Sequence, residues 1–167
     1  MRQPTTTAEE VQRMAAYMES QGVVIDHTDH AHTLAEYLRG DPIPQLIEKA
    51  QCKGLKILYV YDMQRQQYNT RADATIWKNC TLDGSGTWYA IGISTQALDL
   101  GRDYTAFVAL HEITHLLTDC IEDHTPAFHS YLDYVITLYN NANGTHIVND
   151  YCGLSEDLRQ PDARQRP

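Results

Sequence analysis

No stretch of about 20 apolar residues occurs in this chain, so nothing in it reads as a membrane span. The opening segment MRQPTTTAEE has no apolar core, and no signal peptide is expected there. Basic residues are few: 13 Lys and Arg stand against 22 Asp and Glu, a formal net charge of -9. A nucleic-acid surface normally carries a basic patch, so this balance argues against nucleic acid as a partner. It suits a basic peptide partner, or solubility alone. The four cysteines, Cys52, Cys80, Cys120 and Cys152, form no C-x-x-C pair, so no thiolate zinc ribbon is present. Spaced so widely, they read as reduced thiols, and the expected compartment is the cytoplasm. There is no internal repeat and no low-complexity block.

What remains is an ordinary globular composition, 43% hydrophobic and 21% charged. The expectation is one domain over residues 1–154. The polar remainder, 155–167, ending in QPDARQRP, is expected to be a disordered tail.

The chemistry concentrates in Thr105 to Phe128, TAFVALHEITHLLTDCIEDHTPAF. His111-Glu112-Ile113-Thr114-His115 is an H-E-x-x-H pattern. On a helix, positions i and i+4 lie about 40° apart around the axis and about 6 Å apart along it. His111 and His115 can then face one metal ion, with Glu112 placed to act on a water there. Ala106, Leu110, Ile113 and Leu117 recur at helical spacing, which predicts a helix with an apolar stripe. Gly101 breaks the chain before it, and Asp103 is the expected N-cap. The histidines fall beside the stripe, which predicts a site at the edge of a cleft.

A catalytic zinc site uses three protein ligands and an open position. His124 is the preferred third ligand. Thr125 reads as an N-cap and Pro126 as a first helical residue. Phe128, Tyr131, Leu132, Val135 and Ile136 then continue a helical apolar face, so His124 closes the loop of a helical hairpin. His129, Glu122 and Asp123 are alternatives, as is Glu156. Cys120 reads as a small buried side chain rather than a ligand.

The run IGISTQALDLGRDYTAFVALHEITHLL followed by DHTPAF resembles the SprT-like and WLM-type zincin metallopeptidases. The matching residues are His111, Glu112, His115, His124 and Phe128, and the resemblance covers roughly residues 88–136. It implies zinc on the three histidines and Glu112 as catalytic base. The chain does not resemble a metzincin, because Thr118 and Ile121 stand where that pattern needs Gly and His.

The remaining pattern predicts an α+β, zincin-like fold. Its sheet is expected to be small, mixed or antiparallel, with about three strands. N-terminal helices come first, and the H-E-x-x-H helix is followed by a second, C-terminal helix. Residues 5–21 read as a first helix, with others over about 30–39 and 44–52. Val23-Val24-Ile25 reads as a small strand or buried coil. A tract with His27, His30 and His32 reads as a solvated helix start. Leu55–Tyr61, Ala74–Thr81 and Thr87–Ser94 read as strands, the last two joined by an Asp83-Gly84-Ser85-Gly86 turn. In the third strand, Tyr89, Ile91 and Ile93 alternate with Ala90, Gly92 and Ser94. That leaves a small-residue side with accessible backbone. Trp88–Ser94 is the expected place for a peptide substrate to add as a strand. His146 reads as a packing residue.

The expected activity is zinc-dependent peptide hydrolysis on a peptide or protein substrate. Tyr131 and Tyr134 are candidate oxyanion donors, and Asp119 and Asp123 candidate carboxylates orienting the ligand histidines. Two alternatives stay open: a non-catalytic zinc scaffold closed by Cys120 or Asp123, and a peptidase with a carboxylate third ligand.

Overall fold

The computed structural model describes residues 16, 25–26, 30–61, 74–80, 87–120 and 123–149. Most of the expected first helix lies outside these residues, as do the turn at 83–86, His27, Glu122, Glu156 and the tail. Among the described residues the element order is β1 (Ile25–Asp26), α1 (His30–Tyr37), α2 (Ile43–Cys52), β2 (Leu55–Tyr61), β3 (Ala74–Cys80), β4 (Thr87–Ser94), α3 (Thr95–Asp99), α4 (Arg102–Leu117) and α5 (Pro126–Asn143). No helix among them is long and apolar enough to cross a membrane.

The architecture is α+β. Four strands form one mixed sheet in the order β1-β2-β4-β3. β1 runs antiparallel to β2, β2 parallel to β4, and β3 antiparallel to β4. A wholly antiparallel sheet is therefore excluded. β4 pairs back along β3 from Cys80↔Thr87 to Ala74↔Ile93, and in doing so it lies beside β2 in the same direction. The extra strand is the two-residue β1, with Ile25 opposite Tyr61.

This order corrects the expected substrate strand. Trp88–Ser94 belongs to β4, which is hydrogen-bonded on both sides, so its backbone groups are already committed. Its small-residue side is not accessible either. Ala90 and Ser94 are fully buried, and the Tyr59 ring lies across Gly92. A Cβ at Gly92 would fall 2.6–2.8 Å from atoms of that ring, so only glycine admits it. The other side of the sheet, with Val60, Ile76, Ile91 and Ile93, packs into the main core with the helices.

α4 is the central element and touches β3, β4, α1, α2, α3 and α5. From Thr105 to Leu116 every residue except Phe107 is buried. The expected single stripe is thus replaced by burial all round, as in a helix at the middle of a core. Its N-cap is Gly101, at φ 105, and not Asp103, which lies in the first turn. α3 was not legible as a separate helix. Ser94 caps it by accepting from the Ala97 amide at 3.1 Å, and Thr105 Oγ1 ties α4 to it through the Ala97 carbonyl at 3.0 Å. α5 follows its sequence pattern closely. Thr125 accepts from the Phe128 amide at 3.2 Å, Pro126 opens the helix, and Gly144 ends it at φ 65. Phe128, Leu132, Val135, Ile136 and Tyr139 form its buried face.

Candidate metal centre

The helical spacing of His111 and His115 brings their rings together as expected, with Nε2 atoms 3.2 Å apart. The loop between α4 and α5 then returns His124, whose Nε2 lies 3.3 Å from that of His111. These three histidines form a group that could hold a metal ion, with ligand atoms all within 4.8 Å of one another. His111 and His115 are buried and His124 is half-buried, so the group opens on its His124 side.

The spacing is itself informative. A tetrahedral ion with metal–nitrogen bonds of about 2.0–2.1 Å has ligand nitrogens about 3.3–3.4 Å apart along each edge. The His111–His115 and His111–His124 separations lie close to that edge. The tautomer of His115 agrees. Its Nδ1 is hydrogen-bonded to the Cys120 carbonyl, which can only accept. Nδ1 therefore carries the proton, and the Nε2 lone pair is directed at its neighbours. The residues present fit a small metal ion held by imidazole nitrogens.

Phe128 forms the wall behind all three rings. Its centroid lies 4.3 Å from that of His115, 4.9 Å from His124 and 5.0 Å from His111. The ring is fully buried. It limits the rotation of each imidazole and keeps water from that side. Glu112 is 2% exposed, and its Oε2 lies 3.7 Å from His111 Nε2. The carboxylate thus stands beside the point where the nitrogens converge.

Several expected participants sit elsewhere. His129 is not in the group; its ring is 6.2 Å from that of His124. Burial and then repulsion from His124 hold its pKa below the ordinary histidine value, against a smaller opposite pull from Asp133. The Cys120 thiol donates to the Thr118 carbonyl at 3.3 Å and lies 3.2 Å from Thr125 Oγ1, so it braces the loop and is not one of the three grouped residues. Asp119 does not orient a ligand histidine, because it pairs with Lys53 at 2.6 Å. Asp123 is exposed. The orienting acceptor is instead a backbone carbonyl, which no side-chain pattern announces. Tyr131 lines a groove with Glu48, Lys49, Lys53 and Leu117, and Tyr134 is 59% exposed. Tyr131 packs, partly buried, against the main core, while Tyr134 points to solvent. His146 is exposed rather than packed. The Cys120 carbonyl was missed as part of the site. Phe128 was named as a residue of the resemblance and of the helical apolar face, but not as the wall behind the histidines.

No protein-family model, curated protein or solved structure matches this chain. The chemistry of the site rests on its own geometry.

Proposed function

We propose that this chain is a zincin-like, zinc-dependent metallopeptidase. The observation that carries the reading is the convergence of three imidazole Nε2 atoms beside a buried carboxylate, Glu112, that is not one of the ligands. A purely structural site closes its shell with a fourth protein ligand and has no use for such a carboxylate. Among the described residues the group has three members.

His111, His115 and His124 would hold the ion. Bound there, zinc supplies a water of lowered pKa and a Lewis acid for the scissile carbonyl. Glu112 would accept a proton from the attacking water at its carboxylate as general base, and would then deliver it to the leaving amine as general acid. Its burial keeps its carboxylate aimed at the site and removes competing solvent. Phe128 and the Cys120 carbonyl hold the imidazoles so that little reorganisation accompanies binding. A substrate peptide adds as a strand on β3, not β4. β3 is one of the two edge strands among the described residues, the other being the two-residue β1, and it is the edge strand that packs against α4.

The test is metal content together with cleavage of a fluorescence-quenched peptide library by tag-free protein. Wild type is expected to hold about one zinc per chain and to cleave. Glu112→Gln should keep the zinc and lose about 10²–10⁴-fold in rate. His124→Ala should lose most of the zinc. A wild type that takes up no zinc after reconstitution would sink the reading. Zinc uptake without any cleavage that depends on Glu112 would leave only a metal-stabilised scaffold.

A further inference from the structure

The end of α4 is closed by a turn that acts directly on His115. Asp119 donates its amide to the Leu116 carbonyl at 3.3 Å, and Cys120 donates its amide to the His115 carbonyl at 3.0 Å. This pair of bonds is a Schellman motif, with Asp119 in the left-handed position at φ 58. The motif brings both backbone groups of Cys120 onto one residue: the amide binds the His115 carbonyl, and the Cys120 carbonyl accepts from His115 Nδ1. The tautomer that turns the His115 Nε2 lone pair toward the histidine group therefore depends on this turn.

Glycine is the usual occupant of the left-handed position, because any Cβ there is strained. Here it is an aspartate, the only non-glycine residue with positive φ among those described. Its carboxylate has a partner far away in sequence. Lys53 Nζ donates to Asp119 Oδ1 at 2.6 Å and reaches the Leu117 carbonyl at 3.5 Å. Lys53 is itself well anchored, at the C-cap of α2 and one residue before Gly54, whose carbonyl accepts from the Tyr89 amide at 2.9 Å. The ammonium group thus spans the last carbonyl of the helix and the turn beyond it.

We propose that Lys53 is a positioning residue for the metal centre. It pins Asp119 in the left-handed conformation and thereby keeps the Cys120 carbonyl on His115 Nδ1. The inference rests on the three-histidine metal site proposed above. Lys53 touches neither substrate nor metal. The pair is partly exposed, with the Asp119 side chain 78% accessible, so its effect is modest and appears in metal affinity more than in folding.

The experiment uses the full chain and zinc alone, with affinity measured by competition against a chromophoric chelator. Wild type is compared with Lys53→Met, Lys53→Arg, Asp119→Gly and the Lys53→Met/Asp119→Gly double variant. The Tm of each metal-free protein and the NMR signal of the His115 Nδ1 proton are recorded alongside. Lys53→Met is expected to weaken zinc binding two- to fivefold, about 0.4–1 kcal/mol, with a change in metal-free Tm within about 2 °C. Its Nδ1 proton should exchange faster than in wild type. Lys53→Arg should restore affinity, since a guanidinium can span both acceptors. In the Asp119→Gly background Lys53→Met should weaken binding no further, because the pair is already gone. Unchanged affinity in Lys53→Met would overturn the proposal. So would losses that add in the double variant, or that simply follow the metal-free Tm. Failure of wild type itself to bind zinc would instead overturn the metal-site reading beneath it.

Discussion

The two helices that carry the candidate site are built on opposite plans. α4 is buried on every side from Thr105 to Leu116 except at Phe107, and it begins at a glycine with no side-chain cap. α5 buries one face and is specified at both ends, by Thr125 and Pro126 at its start and by Gly144 at its close. α4 has no side-chain cap and is enclosed by the core, so what surrounds it sets its limits. α5 declares itself locally. The difference suits their tasks. His111, Glu112 and His115 need a frame that cannot move, and the middle of the core supplies one. His124 must be delivered at the open side, and a capped helix start sets the path of the loop that brings it there.

That contrast can be broken or sharpened by substitution. The largest effect should come where the helices meet. Phe128→Ala removes a fully buried ring that backs all three histidines. It should cost about 3–5 kcal/mol in denaturant unfolding of the metal-free protein, and zinc affinity should fall as well. Leu110→Ala, in fully buried α4, should cost about 2–5 kcal/mol. A value under 1 kcal/mol there would mean that α4 is not packed on all sides. Thr125→Ala removes the cap on the Phe128 amide and should cost about 1 kcal/mol. If that change is silent, α5 depends on its ends as little as α4 does, and the contrast fails. Tyr134→Ala, on the exposed face of α5, should stay within about 0.5 kcal/mol.

Much of this was legible beforehand. β2 matches its expected span residue for residue, as does β4, because β-branched and aromatic runs between turn signals leave few other readings. The hairpin loop and the convergence of His124 with His111 and His115 followed from cap chemistry and helical spacing. The errors share one cause. Strand order, the burial of the small-residue side of β4 and the all-round burial of α4 depend on what packs against each element, and local patterns do not carry that. Asp119 was mistaken for an orienting carboxylate because proximity in sequence stood in for proximity in space. Its partner, Lys53, is 66 positions away.

By itself the chain pointed to the three histidines that come together and to their approximate meeting place, because the reach of one helical turn and the direction of one capped loop are short-range geometry. Only the tertiary structure decided which strands lie at the sheet's edges, which carbonyl is bonded to His115 and which residue pairs with Asp119 in the turn that carries it. Those depend on contacts between segments far apart in the chain, which form only when the core closes.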